Sequence, residues 1–382
     1  MKIGIDKISF HVPNYYLDSK VLAEARNVDY LKFKKGLLIN KMSVAPSNED
    51  IITMAANATL NYLTNEDIEK IDLVLFATET GLDYSKAAST NLISVLGLKD
   101  NVRAVEIKQA CYSATAAIHF AKGHILRSPN SKVLILGSDI AKYGINSAGE
   151  PTQGAGAVSM LISSNPKILE IEDYTGIYSK DTYDFYRPNN KDYAIVDGHY
   201  SNEMYQLTFE NAFKRYLDNS ELTKNDFEAI IFHIPYAKLA LKTLSLIYDK
   251  DEDESMFENF EKSVIYNKDV GNIYTGSLYL SLISLLDQAN LEDGSRVLLY
   301  SYGSGSVGEV FSAKLVEDYK NHLLKVLHEE QLANRNELNI EEYENYISYK
   351  QGKNAEFDLD KNLKVQLKQI SNFQRLYLAN KK

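Results

Sequence analysis

Three short runs in the first half of the chain are largely apolar on both of their alternating faces. They are Ile71-Asp72-Leu73-Val74-Leu75-Phe76-Ala77, Val102-Arg103-Ala104-Val105-Glu106-Ile107 and Lys132-Val133-Leu134-Ile135-Leu136-Gly137. Both faces of such a strand need cover, so these runs predict strands buried inside an α/β sheet. Helical spacing fills the intervals. Asp50 to Leu63 places Ile51, Ile52, Ala55, Ala58 and Leu63 on or near one face. Tyr112 to Leu126 does the same with Ala114, Ala117, Ile118, Ala121 and Ile125.

The second half repeats this order at similar spacing. Phe227 to His233 resembles the 71–77 run, Tyr274 to Leu286 resembles the helix after residue 111, and Arg296 to Gly303 resembles the 132–137 run. The pattern predicts a duplicated fold, with an N-terminal half over 1–165 and a C-terminal half over 166–382. At ~150 residues per domain, 382 residues accommodate two such halves. Asp249 to Glu254 is a charge run expected in a solvated loop. From Tyr319 onward the chain is polar, with helical stretches and no site signal.

The charge balance, 42 Lys and Arg against 52 Asp and Glu, gives a formal net charge of −10. That excludes a general nucleic-acid binder, which needs a basic face against phosphates, yet permits a local basic pocket for one phosphorylated ligand. Asp6 interrupts the stretch where a signal peptide would be apolar, and the run from Leu278 to Leu286 is far short of the ~20 residues that span a bilayer. The expectation is a cytoplasmic protein without a membrane segment. The single cysteine, Cys111, rules out an intramolecular disulfide and any cysteine-based metal cage.

A lone cysteine is more often an inert small hydrophobe than a nucleophile. Cys111 follows one strand pattern and precedes a helix of small residues, where the unpaired N–H groups of a helix start favour a thiolate. Two further residues and a glycine-rich turn fall at strand ends, where ligands collect in α/β folds. Glu79, after the 71–77 run, is a solvated carboxylate or a general base with a raised pKa. His233, which Pro235 follows closely, is a hydrogen-bonded core histidine or an acid–base group. Gly303-Ser304-Gly305-Ser306 is an ordinary tight turn or a cradle of backbone donors for an oxyanion. Lys238 and Lys242 share one helical face, either for solubility or as a clamp for a phosphorylated ligand. No P-loop or dinucleotide fingerprint accompanies them. A thiolate, an acid–base pair and backbone donors fit carbon–carbon bond formation on thioesters or a thiol hydrolase.

Glu106-Ile107-Lys108-Gln109-Ala110-Cys111-Tyr112-Ser113-Ala114-Thr115 resembles the nucleophile segment of 3-hydroxy-3-methylglutaryl-CoA synthases of the bacterial type, within the thiolase-like superfamily. Ala77 to Thr80, Gly149 to Val158, Tyr183 to Pro188, Val196 to Gly198, Ile231 to Lys238, Val270 to Ser277 and Tyr300 to Gly305 match in the same order. The resemblance runs from about residue 3 to 320. It implies a thiolase-like five-layered αβαβα fold of two duplicated halves, in a homodimer. It implies Cys111 as the nucleophile acetylated by acetyl-CoA, Glu79 as the base at the acetyl methyl, and His233 as the general acid at the acetoacetyl-CoA ketone. Backbone N–H groups at Cys111 and around Ser304 would hold the thioester oxygen. Asp29, Thr152, Ser201, Lys238, Lys242, Asn272 and Ser304 fall at the family's ligand contacts. Coenzyme A thioesters are then substrates, with no separate cofactor and no metal, in the mevalonate route to isoprenoids. The chain departs from the family pattern at Gly36-Leu37-Leu38-Ile39, where a bulky apolar pair replaces Gly and Gln. Two other readings remain: a β-branching synthase acting on carrier-protein-bound chains, and a non-catalytic thioester-binding subunit. The set of Cys111, Glu79 and His233 argues against the latter.

Overall fold

The computed structural model describes residues 1–380. Nine strands form one continuous hydrogen-bonded array. They are β1 (Gly4–His11), β2 (Ile71–Ala77), β3 (Arg103–Ile107), β4 (Lys132–Ile140), β5 (Ala155–Ser163), β6 (Leu169–Ser179), β7 (Ala229–Phe232), β8 (Arg296–Gly303) and β9 (Val307–Leu315). Their spatial order is β7-β8-β9-β6-β1-β5-β4-β2-β3. Pairing is parallel at each outer end, β7 with β8 and β2 with both β3 and β4, and antiparallel through the middle.

Five helices matter for the site: α1 (Ile51–Thr59), α2 (Ser113–Arg127), α3 (Gly198–Asn219), α4 (Ala237–Leu244) and α5 (Ser277–Gln288). The alternation of side chains along each strand shows how they stack. Leu73, Leu75 and Ala77 of β2 share a core with Ile231 of β7, Leu299 of β8 and the buried faces of α2 and α5. Val74 and Phe76 turn the other way, onto α1. Leu298 and Tyr300 of β8 likewise turn outward onto α3 and α4. The array therefore folds over a central helical layer, with α1 outside one limb and α3 and α4 outside the other. This is the five-layered thiolase-like arrangement, and it accounts for runs apolar on both faces. α5, buried from Ser277 to Asp287, has no face left for solvent.

Two expectations are corrected. The Val102–Ile107 run was expected inside the sheet, but β3 is the edge strand and none of its residues is fully buried. Arg103 and Val105 face outward and are exposed, while Ala104, Glu106 and Ile107 are half-buried. The tail is more than helical stretches: Ala355–Glu356, Val365–Ser371 and Gln374–Ala379 form an antiparallel sheet. Asn57 of α1 grips that sheet by exchanging two hydrogen bonds with the Val365 backbone, at 2.8 and 3.0 Å. At the departure over 36–39, a π-helix (Lys32–Leu37) ends in Leu38 with φ +62°, while Ile39 is buried. The added apolar bulk thus enters the core and leaves the turn packed beside α4.

Candidate active site

The parallel strands deliver the chemistry at their carboxyl ends, as such sheets generally do. Glu79 lies just past β2, Cys111 past β3, His233 directly after β7 and Ser304 directly after β8. Folding the limbs over one another brings these ends together. Gly303 backs directly onto the nucleophile turn: a Cβ there would sit 2.6 Å from the Gln109 carbonyl oxygen and 2.7 Å from the Tyr112 Cβ. The Gln109 side chain closes the same seam by donating to the Ser304 carbonyl at 3.3 Å.

Cys111 is half-buried in the turn that leads into α2. Ala110 before it takes φ +44°, a left-handed conformation that costs a non-glycine residue about 1–2 kcal/mol. The turn is pinned by Gln109 N–H to Ser113 Oγ at 2.6 Å and by Ala114 N–H to Thr275 Oγ1 at 2.8 Å. The Cys111 thiol donates to Glu79 Oε1 at 3.0 Å. Glu79 is held from behind by Asp139 at the end of β4. One oxygen of Asp139 accepts from the Glu79 N–H at 2.7 Å, the Thr80 N–H at 3.0 Å and the Thr78 hydroxyl at 2.9 Å. The Arg187 guanidinium donates to the Glu79 carbonyl at 2.5 Å.

These surroundings set the proton positions. Burial, with Asp139 adding to it, pushes the Glu79 carboxyl up to about 8, against the smaller opposing pull of the thiol and Arg187. Burial raises Asp139 to about 7 despite its donors. Cys111 is pushed well above the ordinary thiol range by burial and then by Glu79. This reverses the expectation of a helix-stabilised thiolate: nearby carboxylates outweigh the helix start, so the resting group is a thiol. His233 is 2% exposed and its Nδ1 has no partner, so burial lowers it to about 3 and the ring is neutral at neutral pH. Its backbone is fixed by His233 N–H to the Tyr300 carbonyl at 2.8 Å and by the Tyr205 hydroxyl to its own carbonyl at 2.7 Å.

The glycine turn offers fewer donors than its sequence suggests. Gly305 N–H already donates to Asp184 at 2.9 Å and Ser306 N–H to the Lys180 carbonyl at 2.7 Å. The site also contains residues given no role in the sequence reading. Tyr143, Phe185 and Tyr274 meet edge to face, with centroids 5.8 to 6.2 Å apart, as an aromatic wall beside Cys111 and Glu79. Buried Asp184 takes the Tyr302 hydroxyl at 2.7 Å.

The ligand-contact candidates fall into two groups. Asn272 is at the wall: its Nδ2 donates to the Tyr143 hydroxyl at 3.2 Å, while its Oδ1 accepts from Tyr274 N–H. Thr152 is beside it, its carbonyl accepting Asn272 N–H at 2.9 Å. Ser201 reaches Asp184 at 3.4 Å. The other group lies farther out. Lys238 and Lys242 project from α4, half-exposed and exposed, and the π-helix that packs on α4 follows directly after exposed Asp29. Asp29 caps its own turn through Leu31 N–H at 2.9 Å. Among the described residues, no group of three or more His, Cys, Asp or Glu side chains is placed to hold a metal ion.

A cysteine paired with a carboxylate at the joined strand ends of a five-layered α/β fold defines a thiol-dependent acyl-transfer enzyme of the thiolase-like class. Comparison narrows this to one family. Residues 1–167 match the hydroxymethylglutaryl-coenzyme A synthase N-terminal model, and residues 169–263 and 252–378 match its C-terminal model. The chain belongs to the hydroxymethylglutaryl-CoA synthase family. It is 47% identical to a hydroxymethylglutaryl-CoA synthase of Enterococcus faecalis over 381 residues, covering 99% of this chain and 100% of the relative. It is 29% identical over 366 residues to the polyketide biosynthesis 3-hydroxy-3-methylglutaryl-ACP synthase PksG of Bacillus subtilis, covering 89% of this chain and 87% of that one. A crystal structure of an HMG-CoA synthase complexed with CoA superposes with a TM-score of 0.96 at 43% identity, covering 99% of this chain and all of the other.

Proposed function

We propose that the protein condenses acetyl-CoA with acetoacetyl-CoA and water to give 3-hydroxy-3-methylglutaryl-CoA and CoA, through an acetyl-Cys111 intermediate. The observation that carries this is the 3.0 Å contact of the Cys111 thiol with a Glu79 carboxyl poised at about 8. As sulfur attacks the acetyl-CoA carbonyl, the thiol proton moves to Glu79 and then to the departing CoA thiolate. Glu79, again a carboxylate, removes a proton from the acetyl methyl of the new thioester. The carbanion attacks the ketone of acetoacetyl-CoA. His233, being neutral, polarises that ketone through an N–H hydrogen bond, as an uncharged imidazole can. The proton Glu79 has taken balances the one the alkoxide receives. Water then cleaves the Cys111 thioester and restores the thiol.

The same reading gives Asn272, Thr152, Ser201 and Ser304 to the acyl end, and Lys238, Lys242 and the turn at Asp29 to the phosphates and nucleotide of CoA. We assign the two duplicated halves to 1–165 and 166–382. Each supplies part of the site: Glu79 and Cys111 from the first, His233, Asn272 and the glycine turn from the second. The greater likeness to the CoA enzyme than to the carrier-protein enzyme supports a free CoA thioester as acceptor, and with it a role in the mevalonate pathway. A homodimer fits the open edge of β3, where Val105 is 46% exposed, and Phe120 of α2, 58% exposed. Exposed edges and apolar side chains of this kind are normally covered. No described helix is long and apolar enough to cross a membrane, which accords with a cytoplasmic enzyme. The test is acetyl-CoA-dependent loss of the enolate absorbance of acetoacetyl-CoA. Absence of loss, or loss only when the acceptor rides on a carrier protein, overturns the assignment.

A further inference from the structure

Glu309 is a carboxylate in the middle of β9 with no exposed surface. Burying a charge is costly unless its partners are well placed, so a hydrophobic residue would serve stability at least as well. Its partners show what else it serves. The Tyr112 hydroxyl donates to Oε2 at 2.6 Å, and Tyr112 is the residue after the nucleophile. The Thr175 hydroxyl of β6 donates to Oε1. His119 of α2 brings Nε2 to 2.8 Å from the same oxygen, off the axis of a true hydrogen bond.

The grip on Tyr112 is two-sided. Gly303 of β8 presses against its backbone, and Glu309, paired across from Ser301 of β8, holds the far end of its ring. One β8–β9 hairpin thus fixes both ends of the residue that sets where Cys111 points. Tyr112 spends its proton on Glu309, so its hydroxyl is committed to this contact.

We propose that Glu309 is a positioning residue: through the Tyr112 hydroxyl it locks the Cys111–Tyr112 peptide so that the thiol stays on Glu79. The proposal rests on Cys111 as the nucleophile but is tested by a readout that needs no turnover.

That readout is the pH midpoint of Cys111 alkylation by iodoacetamide in the full-length protein, compared for wild type, Tyr112→Phe, Glu309→Met and the double variant. With the contact intact, burial and then the adjacent Glu79 hold the thiol's titration high. With it broken, Cys111 drifts from the carboxylate and the midpoint falls by about one pH unit. Each single variant is expected to show this fall, and the double variant no more than the larger single. Acetylation by acetyl-CoA should slow on the order of ten- to a hundredfold, with KM for acetyl-CoA unchanged. Tyr112→Phe keeps the ring and is the arm to rely on if Glu309→Met folds poorly. Variants that melt earlier but keep the wild-type midpoint would show a merely structural role and overturn the proposal. So would additive effects in the double variant. Acetyl label from acetyl-CoA found on a residue other than Cys111 would instead strike the nucleophile assignment, with the midpoint comparison still standing.

Discussion

Replacing Glu79 by Gln removes a buried charge and a base in one step, and the two consequences separate by pH. Its carboxyl rises from 4.5 to about 8 in the folded protein. At 1.36 kcal/mol per tenfold, full ionisation of such a group costs the fold on the order of 5 kcal/mol. Glu79 is partly in contact with solvent and shares its field with Asp139, so about half of that, ~2–3 kcal/mol, is the better expectation. The sign follows from the raised value. Below 4.5 the group is protonated whether folded or unfolded, and the penalty is absent. It grows as pH rises from 4.5 and is complete above about 8. Glutamine carries no charge, so Glu79→Gln should match wild type in Tm near pH 4.5 and exceed it by a few degrees near pH 8.5. Condensation should be lost at both. In wild type the condensation rate should rise with pH and level off above about 8. The assay is thermal unfolding of both proteins in a common buffer series, beside acetyl-CoA-dependent consumption of acetoacetyl-CoA. A difference in Tm that does not change with pH, or one that grows toward acid, would refute the reasoning.

Other perturbations reach the remaining parts of the account. Gly303→Ala drives a methyl to within 2.6 Å of the Gln109 carbonyl, and should destabilise by about 1–3 kcal/mol while slowing Cys111 acetylation; urea unfolding with a labelling time course checks both. Lys238→Met with Lys242→Met should raise KM for acetyl-CoA about tenfold with kcat little changed, because the two ammonium groups lie far from the reacting atoms. Steady-state kinetics against acetyl-CoA and against a truncated pantetheine thioester separate a phosphate contact from a general loss. Val105→Asp places a charge on the open edge of β3 and should shift the protein toward monomer in sedimentation velocity; an unchanged distribution removes β3 from the interface.

Much of this was legible in the residues. Leu73 to Ala77 and Val297 to Tyr300 are apolar at every position, which leaves only a sheet covered on both sides, and the repeated order points to two stacked limbs. Glu79 and Cys111 stood out because each follows such a run. What stayed hidden depends on contacts between segments distant in sequence. Asp139 lies two residues past the Lys132–Gly137 run with no motif around it, and only the fold shows it anchoring the Glu79 turn. Tyr143, Phe185 and Tyr274 come from three segments far apart in sequence, so no local pattern marks them as one wall. β3 looked internal because Ala104, Val105 and Ile107 outweigh Arg103 and Glu106 in its run; its edge position is a matter of topology, which composition does not encode. The Cys111 expectation failed for a related reason. The helix start was visible in the sequence, while the burial and the convergence of Glu79, Asp139 and Asp184 that oppose it were not.

The central claim is that Cys111 carries the acetyl group. Incubation of the protein with radiolabelled acetyl-CoA, acid quench and mapping of the labelled peptide tests it directly. The account predicts one label per chain, on the peptide containing Cys111, and none on Cys111→Ala. Label retained by Cys111→Ala, or found on another peptide of the wild-type protein, contradicts it.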